Sequence, residues 1–190
     1  MSNYETIFED TLGTHGIITT ARAHEIGVSD KELSRLASSG RLERVGYCTY
    51  RVSHHVPSRL DQYAVAAAVV GDGAFIYGPS ALALMELAPA DPRRIHVATA
   101  RRARHRLPPY VALHRAGGAD MVTSYEGIPV QGIAEALLAS RGLMMDERIA
   151  EAAREALRRG LVLDGELEAN GWTVGMDVLP TAREATAWAN

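Results

Sequence analysis

One stretch limits what this chain can fold into more than any other: Gly16 to Arg51, GIITTARAHEIGVSDKELSRLASSGRLERVGYCTYR. Thr19 or Thr20 can cap a short helix running to about Ile26, because a side-chain oxygen there satisfies free N–H groups of the first turn. Gly27 breaks that helix. Ser29 opens the next one, and Glu32, three residues later, completes the pattern of a capping box. Leu33, Leu36 and Ala37 form one apolar stripe, while Lys31, Ser34, Arg35 and Ser38 fall off it. Gly40 stops the helix, and Leu42, Val45, Tyr47 and Tyr50 alternate around Gly46 as in a short hairpin. Before Gly16, residues 3–15 read as an amphipathic helix with Tyr4, Ile7, Phe8, Thr11 and Leu12 on one face. Together these elements spell a winged helix-turn-helix over about residues 1–53.

Charge is distributed unevenly along the 190 residues, whose net charge is −3. Residues 1–60 hold seven Lys/Arg and seven acids, and residues 61–92 hold four acids and no cation. Residues 93–115 hold seven arginines and no acid, namely Arg93, Arg94, Arg101, Arg102, Arg104, Arg106 and Arg115. Residues 116–190 return to six cations against twelve acids. The position of the charge is therefore more informative than its total.

Ser53 to Ser58 reads as a linker, and Ser58 as the cap of an alanine-rich helix from Arg59 to about Val70. Gly71-Asp72-Gly73 is a turn. Ala74–Tyr77 is a brief apolar run, and Pro79 begins another helix through Leu87. Arg94–Thr99 and Tyr110–Arg115 read as strands flanking a basic loop. Met121–Tyr125 and Ile128–Gln131 read as two more, joined through Glu126-Gly127. Helices are expected over 132–140, 146–159 and 165–169, with a final one over Thr181–Trp188. The fold class is α+β. A mixed C-terminal domain over about 58–190 carries a small, mostly antiparallel sheet.

Two features point to nucleic acid. A helix entering the major groove needs polar and cationic side chains on its outer face, which Lys31, Ser34, Arg35 and Ser38 supply. Arg41, Arg44 and Tyr47 stand where a wing meets phosphates or the adjacent minor groove. The arginine cluster is suited to salt-dependent phosphate contact. An acidic protein partner, a solvated loop, or pairing with the chain's own acidic helices are the alternatives, and they stay open.

Other chemistries lack their residues. Lys31 is the only lysine, so no Gly-Lys phosphate loop exists. A nuclease core with an acid two residues before a lysine is excluded, since Ser29 stands there. Ser80 lies in no Gly-x-Ser-x-Gly frame. His96, His114 and the His54-His55 pair lack zinc spacing, so no metal or cofactor is expected. Cys48 is the lone cysteine and makes no internal disulfide, in keeping with a reducing compartment. The acidic start, MSNYETIFED, does not read as a signal peptide. The longest apolar run, Ala64–Val70, is too short for a membrane span.

The stretch opening at Gly16-Ile17-Ile18 resembles the winged-helix domain of AbiEi-type antitoxins from type IV toxin–antitoxin systems. The likeness runs through Gly27-Val28, Leu33, Leu36 and Gly40-Arg41-Leu42-Glu43-Arg44-Val45-Gly46-Tyr47. SALALMEL, RRIHVATARRARHR, YVALHRA, EGIPV and EALRRGLVLDGEL follow in family order. Where many relatives then carry Thr-Ser-Pro, this chain has Gln131-Gly132-Ile133. The resemblance implies a cytoplasmic, non-enzymatic repressor that binds inverted repeats in double-stranded DNA at its own promoter. It also implies a nucleotidyltransferase-like toxin encoded alongside, a functional rather than a stable physical partner.

Overall fold

The computed structural model describes residues 2–88, 93–103, 105–117 and 121–169. Arg104 and the helix expected at Thr181–Trp188 lie outside them.

The N-terminal half runs α1 (Asn3–Asp10), β1 (Ile17–Thr19), α2 (Thr20–Glu25), α3 (Asp30–Ser38), β2 (Leu42–Gly46) and β3 (Thr49–Val52). Each helix begins on a hydroxyl. Ser2, Thr19 and Ser29 accept the amides of Glu5, Arg22 and Glu32 respectively. The reciprocal capping box forms at Ser2 and Glu5, where the carboxylate takes the Ser2 amide at 2.7 Å. The box expected at Ser29 is only half made, because the Glu32 carboxylate turns to Arg35 instead. Strand β1 comes from Ile17–Thr19, a segment too short to show a period, and the small sheet is antiparallel in the order β1-β3-β2. Ile7, Ile18, Ala23, Val28, Leu33, Leu36, Leu42 and Val52 form its core.

The C-terminal half runs α4 (Asp61–Val70), β4 (Phe75–Ile76), α5 (Pro79–Leu84), β5 (Ile95–Thr99), β6 (Val111–Arg115), β7 (Val122–Tyr125), β8 (Ile128–Gln131), α6 (Ile133–Ala139), α7 (Asp146–Arg158) and α8 (Asp164–Ala169). The α+β class is as expected, and the larger sheet has the order β6-β5-β4-β8-β7. Its described pairings divide evenly: β4·β5 and β7·β8 are antiparallel, β4·β8 and β5·β6 parallel. The parallel β5·β6 pair is possible because the segment between Thr99 and Val111 is long enough to carry the chain back along β5, and a turn closed by the Val111 amide on the Pro108 carbonyl at 3.0 Å leads into β6. Glu126 and Gly127, with φ of 49° and 78°, make the two-residue turn of the β7–β8 hairpin.

Helix α4 is the spine between the halves. Tyr63, Ala66, Ala67, Val69 and Val70 are all buried, so the helix is apolar nearly all round and has to be covered on more than one side. It touches β1, β2 and β3 on one side and β4, β5 and β8 on the other. The helix starts at Asp61, and the expected Ser58 cap is not made in its usual form. Ser58 Oγ accepts the Leu60 amide (3.2 Å) and donates to Asp61 (2.6 Å). Asp61, only 6% exposed, also accepts from His55 Nε2 at 3.0 Å. His15 lies 3.6 Å from the same carboxylate and donates through Nε2 to the Glu126 carbonyl at 2.8 Å. The β7–β8 turn is thus tied to the N-terminal half. Gly127 allows this close approach, since a Cβ there would collide with the Gly13 carbonyl.

Candidate nucleic-acid interface

Helix α3 is held by its cap and by Leu33 and Leu36, which are 1% and 0% exposed. That anchoring leaves Lys31, Ser34, Arg35 and Ser38 exposed together on the opposite face. Arg35 is not idle: its guanidinium gives two hydrogen bonds to Glu32, of 2.9 and 2.7 Å. The bonded guanidinium holds the Glu32 carboxyl below the usual carboxylate range. The Arg35 side chain itself is exposed, so the pair holds it only weakly and leaves it free to exchange Glu32 for another acceptor. The fork is planar and bidentate, the geometry that suits guanine.

The wing is a hairpin with a pinned tip. Tyr47 stacks on His105 at 4.5 Å between centroids with planes 19° apart, and His105 Nε2 donates to the Val69 carbonyl at 2.7 Å. Gly46 lies against Val69, and a Cβ there would collide with its Cγ1. Arg44 is exposed, its Nε 3.4 Å from the Gly46 carbonyl. Arg41 places its guanidinium 5.2 Å from the centre of the Tyr4 ring.

The structure divides the seven-arginine segment. Arg101 and Arg102 line a cleft with Tyr47, Cys48, Thr19 and Ala21, beside the wing tip and the start of α2. Arg101 lies 3.6 Å from Asp72 and both groups are exposed. Arg106 is exposed on the same loop, and Arg115 sits opposite Thr99 at the end of β6. Arg93 and Arg94 lie at the other end of β5, facing β3 and the start of α4. Proximity in sequence is therefore not proximity in space here. His105, which fastens loop to wing, carries no signal in the sequence, because its partner Tyr47 belongs to a distant and unrelated pattern.

His96 and His114 stand side by side on parallel strands, Nδ1 to Nε2 at 2.9 Å, with Tyr77 stacked on His114 at 4.7 Å. One nitrogen donates and the other accepts, so at least one ring is neutral. Burial holds both below the usual histidine value; at His96 the neighbouring His114 and Arg94 add to it. Among the described residues no group of three or more His, Cys, Asp or Glu is arranged to hold a metal. Nor is any helix among them long and apolar enough to cross a membrane.

Residues 3–52 fold as a winged helix-turn-helix, with the polar face of α3 exposed. Residues 10–51 match the family described as transcriptional regulator, AbiEi antitoxin. No curated protein matches the chain. Among solved structures, it is similar to the crystal structure of the RV2827C protein from Mycobacterium tuberculosis, with 16% identity and a TM-score of 0.37. That match covers 90% of this chain and 78% of the other.

Proposed function

We propose that the chain is a cytoplasmic antitoxin that represses its own toxin–antitoxin operon without catalysis of its own. In this reading residues 1–53 are the DNA-binding domain and 58–190 the antitoxin domain. Lys31, Ser34, Arg35 and Ser38 read base edges in inverted repeats. Arg41, Arg44 and Tyr47 hold the backbone, and Arg101, Arg102 and Arg106 extend that contact along the same duplex. The toxin encoded alongside is a nucleotidyltransferase of type IV systems, countered without a stable complex. The observation that carries the reading is the four-residue polar face of α3, exposed in a region that matches a regulator family.

Fluorescence anisotropy with the upstream operon duplex and a scrambled duplex tests it. Lys31→Ala with Arg35→Ala should lose the preference for the operon sequence, by about 1–3 kcal/mol for each base contact removed. Unchanged discrimination would sink the assignment of α3. Arg101→Ala with Arg102→Ala should weaken both duplexes alike and lower the salt slope by about 0.9 per phosphate contact.

A further inference from the structure

A second concavity, of about 600 Å³, opens between the wing and the C-terminal half. Four arginines from separate stretches converge on it: Arg51 from β3, Arg59 ahead of α4, and Arg93 and Arg94 leading into β5. Its apolar lining is Val45, Pro57, Val65 and Ile95, with Tyr110 beside them. Arg51 is paired with Glu43 at 2.7 Å and Arg59 with Glu86 at 3.0 Å. Arg93 and Arg94 have no ion-pair partner among the described residues. One carboxylate, Asp61, also lines the cleft, but it is engaged by Ser58 and His55.

We propose that this cleft binds a nucleoside polyphosphate. The volume lies within the range of small-molecule pockets, roughly 300–1,000 Å³. Converging guanidiniums bind adjacent phosphates through parallel N–H donors, and Arg93 and Arg94, without an ion-pair partner among the described residues, are the first to do so. The Arg59–Glu86 pair is solvent-exposed and Glu43 is the exposed partner of a half-buried Arg51, so exchanging either acid for a phosphate oxygen costs little. The Tyr110 ring and the aliphatic wall suit the flat face of a base.

The cleft is not an extension of the recognition face. Register places Leu42 opposite Val52 and Glu43 opposite Arg51, so Arg51 and Val45 lie on the hairpin face turned away from the core shared with α3. A duplex seated on α3 approaches from the other side. Both halves of the chain line the cleft, so its ligand bridges them. The inference stands independently of the operator reading, since it uses none of the α3 residues.

The test is isothermal titration of the full chain with ATP, GTP, sodium pyrophosphate and adenosine at near-physiological salt. Saturable binding of the triphosphates is expected, with pyrophosphate weaker and adenosine silent. Arg93→Ala with Arg94→Ala should weaken triphosphate binding by about tenfold or more, as loss of charged hydrogen bonds does. Arg93→Gln with Arg94→Gln, which keeps side-chain bulk, should do the same and guards against a folding defect. No saturable triphosphate binding to the wild type overturns the proposal, as does wild-type affinity in both variants. A double variant that loses duplex DNA as severely as Lys31→Ala with Arg35→Ala overturns it too, and makes these arginines backbone contacts.

Discussion

The two halves of the molecule start their helices differently. In the N-terminal half, α1, α2 and α3 each begin on a serine or threonine whose side chain accepts a backbone amide. In the C-terminal half, α4, α5, α6 and α7 begin at Leu60, Gly78, Gly132 and Met145, with no side-chain cap bond. The cores differ in the same sense. The first is an eight-residue cluster under short helices, and the second is a larger, alanine-rich body in which Ala66, Ala81, Ala136, Ala152, Ala153 and Ala156 are wholly buried. A small core contributes little burial per helix, so local chemistry must position each end. A large core positions helices by packing and can dispense with caps.

Four measurements would break or sharpen that contrast. The largest effect belongs to Leu36→Ala, which empties a fully buried site in the smaller core and should cost about 2–5 kcal/mol in urea unfolding. Because α4 is shared, the loss should appear in one transition. Two separate transitions would mean that the cores are thermodynamically independent. Gly46→Val comes next, at about 1–3 kcal/mol, since the added bulk meets Val69 in a well-packed contact. An unchanged midpoint would show that the wing is not held against α4.

Acid comes third, and its two stages can be separated. His96 and His114 titrate below the ordinary histidine value of 6.5, so their contribution is complete above about pH 6.5 and is lost as pH falls through their folded values. Burial alone would raise the Asp61 carboxyl, but hydrogen bonds from Ser58 and His55 hold it below the usual value of 3.8. Its contribution is therefore complete above that value and is lost only at lower pH. Asp61→Asn should lower stability at neutral pH and flatten the profile below about pH 4, leaving the histidine stage in place. A profile unchanged below pH 4 would remove Asp61 from the junction. The smallest effect is Ser29→Ala, about 1 kcal/mol, because only one amide loses its cap.

The same contrast explains what the sequence could disclose. Thr19 and Ser29 announce their helices because capping is chemistry between neighbours. Lys31, Ser34, Arg35 and Ser38 are legible as a face because a helical period places them once Leu33 and Leu36 are taken as core. Ser58 misleads as a cap, since its hydroxyl serves Asp61 and Leu60 at a junction that only tertiary contact creates. The direction of β6 relative to β5 was equally out of reach, because composition does not encode which way a loop returns. The arginine segment was visible as charge. Its division into a group beside the wing and another beside Arg51 depends on the chain's path through β5.

The stacking of Tyr47 on His105, with Gly46 pressed to Val69, bears on how the molecule meets a duplex. Two modules on a flexible tether search separately, and their joint grip depends on tether length. Here the orientational freedom between α3 and the arginine loop is lost on folding, before any DNA arrives. The spacing between α3 and the arginine loop, the two parts that the proposed function places on DNA, is therefore a fixed property of the protein. Extra residues inserted at Ser53–Ser58 should leave the protected length of DNA unchanged, whereas a change at the Tyr47–His105 contact should alter it.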